Sequence, residues 1–274
     1  MEQVIIQQSE MLQAINRSEI DMQIATAKQY PRDLPRVLNL IETYATMDTE
    51  TAEDCFYALR RSGDTVIEGV SVRMAEIIAG AWGNMRVQTR IIGNDGKTIT
   101  AQGMCHDLET NLAVSVEVKR RITGKDGRTF SDDMQVVTGN AASAIAFRNA
   151  VLKVVPKAVT KKVLNNVKKV ALGESIDLET SRQNLLLNYG KAGVTKDMLL
   201  SYLSIHSVDE IDREKVFELR GLWNSIKEGT TTVKESFADH TPEAKKAKAE
   251  AETKKAQAAD KVAEAMKKSK VKDN

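Results

Sequence analysis

Met85-Arg86-Val87-Gln88-Thr89-Arg90-Ile91 opens three successive extended runs, the second from Thr98 to His106. The third is Leu112-Ala113-Val114-Ser115-Val116-Glu117-Val118-Lys119-Arg120-Arg121-Ile122. In the first, Arg86, Gln88 and Arg90 alternate with Met85, Val87 and Ile91; in the third, Leu112, Val114, Val116 and Val118 alternate with Ser115, Glu117, Lys119 and Arg121. A period of two puts each set on one face of a strand. Gly93-Asn94-Asp95-Gly96 supplies residues that tolerate the positive φ of a tight reversal, and Asp107-Leu108-Glu109-Thr110-Asn111 makes the second turn. The loop from Gly124 to Asp133 leads to Gly139-Asn140-Ala141-Ala142-Ser143-Ala144-Ile145-Ala146-Phe147-Arg148-Asn149-Ala150-Val151-Leu152-Lys153-Val154-Val155-Pro156. Its alanines favour a helix that packs closely on a sheet, and Pro156 stops it. The order predicts an α+β fold: a three-stranded antiparallel meander packed on a long helix.

Charge is regional. No acidic residue stands between Val137 and Leu172, where Arg148, Lys153, Lys157, Lys161, Lys162, Lys168 and Lys169 all fall, although the whole chain carries a net charge of only +2. Such a block calls for an anionic partner or open solvent. Aromatic residues make up 4% of the chain and none lies in the three strand runs. That argues against a platform that stacks bases on exposed rings and leaves contact through the phosphate backbone as the expected mode.

With 274 residues, 42% of them hydrophobic, the chain has material for one substantial core and a small satellite. No run of about twenty apolar residues is present, and Met1-Glu2-Gln3-Val4 lacks the basic start of a secretory signal, so a soluble cytoplasmic protein is expected. Cys55 and Cys105 are too few for a disulfide framework and lack metal-site spacing.

Residues 1–27 read as an amphipathic arm, with a neighbouring subunit as the alternative surface for its apolar positions. A core from 28 to 173 includes a helix beginning at Leu34-Pro35, where proline costs no hydrogen bond. It continues with a hairpin around Ser62-Gly63-Asp64-Thr65 and a helix capped by Ser71. A glycine, Gly69, before that helix start also suits a phosphate, with Arg60, Arg61 and Arg73 nearby. Residues 174–238 hold leucines and aromatics at helical spacing and a Thr232–Glu235 capping box, the marks of a small helical domain. Residues 239–274, almost wholly alanine, lysine and glutamate, read as a mobile tail.

No Walker sequence, dinucleotide fingerprint or zinc set occurs, so no cofactor or metal is expected. A nuclease-like carboxylate set from Glu68, Glu76 and Asp107 is an alternative, weakened because Asp107 and Glu109 sit in a turn that wants such residues for backbone reasons. His106 lies beside them; His206 and His240 have no partner cluster.

Two segments carry a family resemblance. One is Ile67-Glu68-Gly69-Val70-Ser71-Val72-Arg73-Met74-Ala75-Glu76 with Ala81-Trp82-Gly83-Asn84. The other is Lys119-Arg120-Arg121-Ile122 followed by Ala144-Ile145-Ala146-Phe147-Arg148-Asn149-Ala150-Val151 and Val154-Val155-Pro156. With the strand-strand-strand-helix order, residues 52–170 resemble the phage and prophage single-strand DNA annealing proteins, the RecT and Redβ superfamily. The resemblance implies a Redβ-like core with an extra N-terminal hairpin and helices. It implies a homo-oligomeric ring or filament that lays single-stranded DNA in a basic groove and pairs it without ATP, so not an enzyme. It also implies a C-terminal part that recruits a phage exonuclease or a host single-strand binding protein. The groove expected here comprises Arg60, Arg61, Arg73, Lys119, Arg121, Arg128, Arg148, Lys153 and Lys157. The alternatives are a protein that coats DNA or RNA without pairing it, and a metal-dependent nuclease.

Overall fold

The computed structural model describes residues 2–60, 66–124, 126–172, 177–242 and 244. The expected turn at Ser62 to Thr65, the link from Gly173 to Ser175 and nearly all of the tail lie outside them. The chain divides into two compact units, residues 1–176 with 217–231, and residues 177–216 with 232–274.

The first unit begins with helix α1 (Glu2–Gln29), then α2 (Leu34–Ala45) and α3 (Thr49–Asp54). Asp33 caps α2 through the Arg36 amide, with Pro35 in the first turn as the sequence predicts, and Asp48 caps α3 through the Thr51 amide. Strands β1 (Phe56–Arg60) and β2 (Val66–Val70) pair antiparallel and lead to α4 (Val72–Trp82), capped by Ser71. The main sheet follows: β3 (Met85–Asn94), β4 (Thr98–Asp107) and β5 (Leu112–Arg121), antiparallel in the order β3-β4-β5.

Helix α5 (Asp132–Val154) lies against one face of this sheet. It starts two turns before the alanine-rich run, with Asp132 and Asp133 in its first turn where the helix dipole favours them. Contact is tightest at the middle of β4. A Cβ at Gly103 would strike the Ala146 carbonyl, so glycine there is what lets helix and sheet approach. Ile99, Ala101, Ile122, Ala142 and Ala146 close one end of the interface. Cys105, Ala150, Val151 and Val154 belong to the larger core that α2, α3 and α4 complete. Burial pushes both thiols, Cys55 and Cys105, up to about 12, which fits inert apolar packing. After Pro156, α6 (Lys157–Leu172) packs on α2 and α3 through Thr160, Val163, Val167 and Ala171.

The second unit contains α7 (Leu178–Lys191) and α8 (Lys196–Leu203), capped by Asp177 and Thr195. Helix α9 (Arg213–Lys227) contributes its first turn here, and α10 (Val233–Ser236) carries the expected capping box between Thr232 and Glu235. Its core gathers Tyr189, Tyr202 and Phe237, with Phe237 edge-on to Tyr189 at 5.8 Å. Arg182 reaches the carbonyls of Ile211 and Asp209. The expected domain limit at 174–238 needs correction. Phe217 to Thr231 belong to the first unit, because Phe217 packs on Phe56 and Asn224 and Ser225 bond the backbone of Glu53, Phe56 and Ala58.

Candidate nucleic-acid interface

On β4, Ile99, Ala101, Gly103, Cys105 and Asp107 are buried toward the helices, so Thr98, Thr100, Gln102, Met104 and His106 face the other way. Cross-strand partners share a face. The register therefore sets Arg86 and Ala113 beside His106, Gln88 and Ser115 beside Met104, and Arg90 and Glu117 beside Gln102. Lys119 pairs with Thr100, and Arg121 with Thr98. This face carries Arg86, Arg90, Lys119 and Arg121 against one carboxylate, Glu117. None of the four cations makes an ion pair among the described residues; Arg86 donates to Gln23 Oε1 at 3.3 Å, and Arg90 reaches Gln88 Oε1 at 3.5 Å. No phenylalanine, tyrosine or tryptophan stands among them. Arg120, between Lys119 and Arg121, turns to the helix side and donates to the carbonyls of Gly229 and Thr230.

A second cationic surface runs along α6. Lys157, Lys161, Lys162 and Lys169 are exposed, opposite the buried stripe, and Lys153 is exposed at the end of α5. Lys168 differs, being paired with Glu68 and placed over the Phe217 ring at 5.0 Å.

The nine residues expected to form one groove are thus separated. Lys119 and Arg121 are on the open sheet face, and Lys153 and Lys157 on the helical surface. Arg128 is fully outward beside Asp126 at 3.8 Å. Arg73 is exposed but bonded to Glu76 at 2.8 Å. Arg61 lies outside the described residues.

Arg60 and Arg148 need correction, because both turn inward to carboxylates of α9 and the turn after it. Arg60 meets Glu218 through two hydrogen bonds, Nε to Oε1 at 2.8 Å and Nη2 to Oε2 at 3.1 Å. Arg148, 7% exposed, lies over the Tyr57 ring at 4.8 Å with Nη1 3.7 Å from Glu228 Oε2. An arginine in an apolar helix does require an anion, and the protein itself supplies it. Glu228 Oε1 also accepts from the Val72 amide at 2.7 Å, so the start of α4, expected to suit a phosphate, already holds a carboxylate. Burial pushes the Glu228 carboxyl up from its ordinary value, against the Val72 amide and Arg148, which pull it down.

The carboxylates of the nuclease alternative do not converge. Asp107 is 3% exposed and accepts from Arg32 and from Trp82 Nε1, both at 3.1 Å. Burial raises its pKa, but those hydrogen bonds outweigh it and hold the carboxyl below the usual value. Arg32 also stacks on Trp82 at 4.3 Å and bonds the Trp82 carbonyl, so this cluster locks the end of α4 to the chain before α2. Glu68 and Glu76 are taken by Lys168 and Arg73. Among the described residues no group of three metal-ligating side chains is present.

No protein-family model matches the chain, and neither a curated protein nor a solved structure matches it.

Arg86 and Arg90 stand outside the expected groove, although the alternation of β3 puts them on one face with Gln88. The signal was the shared period of β3 and β5. Once the strands are paired through β4, Arg86 and Arg90 lie across the sheet from Lys119 and Arg121.

Proposed function

We propose that the chain binds single-stranded DNA through the open face of the β3-β4-β5 sheet and anneals complementary strands without ATP, as a homo-oligomer acting in phage-type recombination in the bacterial cytoplasm. The observation that carries this reading is the set Arg86, Arg90, Lys119 and Arg121, four cations without carboxylate partners among the described residues, on a face without phenylalanine, tyrosine or tryptophan. Such a surface grips phosphates and leaves the bases unstacked on protein, which a search for a complement requires. The likeness of residues 52–170 to the RecT and Redβ proteins supports the same reading, and with it a Redβ-like core and the second unit as a docking module for an exonuclease or a single-strand binding protein.

Two complementary oligonucleotides mixed with the protein, without nucleotide or metal, test it. Pairing faster than the protein-free rate is expected, with a binding constant that falls with salt at a log-log slope of about 3 for four phosphate contacts per subunit at about 0.7 each. Coating without pairing, or magnesium-dependent shortening of the DNA, overturns it.

A further inference from the structure

Between helix α1 and the first residues of β3 lies a crevice of about 580 Å³. Its helix wall is Glu19, Met22, Gln23 and Thr26, which fall on one side of α1 because they follow one another at steps of three, four and seven from Glu19. Its strand wall is Met85, Arg86 and Val87. Arg86 shares the open face of the sheet with His106, and Val87 the helix side with Cys105, so a crevice lined by both runs along the free edge of the strand. β3 is the edge of the order β3-β4-β5, and alternate backbone N–H and C=O groups on its outer side have no strand partner among the described residues. Arg86 reaches across to Gln23 Oε1 at 3.3 Å.

We propose that this crevice receives one nucleobase of the bound strand, with the adjoining phosphate on Arg86. The inference rests on the reading that DNA lies on the open sheet face and adds one site to it. The crevice is continuous with the cationic face, because Arg86 belongs to both. Its charge selects the base over the phosphate: Glu19, on the helix wall, repels a phosphate and accepts hydrogen bonds from base amino groups. Its walls suit a flat ring with polar edges. Met22, Met85 and Val87 supply apolar contact, while the Gln23 amide and the outer backbone groups of β3 supply hydrogen bonds. The volume is in the range of small-molecule sites. Backbone groups and methionines adapt to any base, so the site works without sequence preference. One base is withdrawn from the search for a complement and its neighbours stay free, which fixes the register of the strand on the subunit.

Two strands with the same number of phosphates test it on the full chain: oligothymidylate, and a strand in which every base is replaced by an abasic tetrahydrofuran. The unaltered chain is expected to bind oligothymidylate at least about tenfold more tightly, the scale of one ring face removed from water, with the same salt slope for both strands. Met22 is 61% exposed, so Met22→Ala leaves the core intact. This variant is expected to lose most of the preference for bases while its affinity for the abasic strand stays unchanged. Met11→Ala, on the same helix but away from the crevice, is expected to keep the preference. Equal binding of the two strands by the unaltered chain overturns the proposal and leaves the edge of β3 to an extended peptide. So does a preference that Met22→Ala leaves whole, which puts the base elsewhere. Binding of neither strand is a different failure, since it overturns the DNA reading itself and this inference with it.

Discussion

Two regions of the first unit are rich in arginine and differ in what meets them. Where α9 and the turn after it lie against β1, β5 and α5, Arg60, Arg120 and Arg148 are matched by Glu218, the carbonyls of Gly229 and Thr230, and Glu228. On the open face of the sheet, Arg86, Arg90, Lys119 and Arg121 have no such partners among the described residues. In the first region the guanidiniums of Arg60 and Arg120 are hydrogen-bonded, while Arg148 Nη1 and Glu228 Oε2 are buried 3.7 Å apart without a hydrogen bond between them. A guanidinium in the second has unused donors and surface potential, the properties that attract a polyanion. Residue type alone therefore does not mark a binding surface.

The largest effect expected from breaking this contrast is on the buried side. Arg148→Ala leaves Glu228 without its cation and is expected to cost about 3 kcal/mol in urea unfolding, the scale of a broken buried pair. A stability unchanged to within experimental error would return Arg148 to the list of surface contacts. Next comes the quadruple variant Arg86→Ala/Arg90→Ala/Lys119→Ala/Arg121→Ala. It is expected to lower oligonucleotide affinity about a hundredfold near physiological salt and to remove most of the salt slope, with the unfolding midpoint nearly unchanged. A smaller effect is expected from Lys157→Gln/Lys161→Gln/Lys162→Gln, about threefold in affinity, if the helical surface adds only long-range attraction. If this triple variant exceeds the quadruple one, the roles of the two surfaces are reversed.

The pH dependence sharpens the same comparison. The folded-state pKa of Asp107 lies below its unfolded value, so its contribution is fully present above the ordinary carboxylate value near 3.9 and is lost as pH falls through the folded value. Glu228 has the opposite sign. Its raised carboxyl pKa contributes stability only in the protonated form, and its charged form is disfavoured as pH rises. Asp107→Asn is expected to flatten the acid limb of the stability profile, and Glu228→Gln to leave that limb in place.

The three strands, their turns, the stop at Pro156 and the caps at Ser71 and Thr232 were legible because each rests on residues a few positions apart. The face of Arg86 and Arg90 was legible in the same way, through alternation within one strand. The inward turn of Arg60 was not, since Glu218 stands 158 residues further along and nothing local to either residue points to the other. Arg148 shows the limit most plainly. An arginine in that apolar helix needs an anion, but the sequence around it does not say whether the anion comes from a ligand or from the turn after α9. The early start of α5 has a local cause in Asp132 and Asp133, which the loop composition before Gly139 concealed.

The return of α9 to the first unit also sets a timetable for synthesis. At about 5–20 residues per second, roughly 8–30 s separate the emergence of Arg60 from the ribosome and that of Glu218, 158 residues later. During that interval the nascent chain presents Arg60, and then Arg120 and Arg148, without their counterparts. The β1-β2 end of the unit therefore finishes folding only after α9 has emerged.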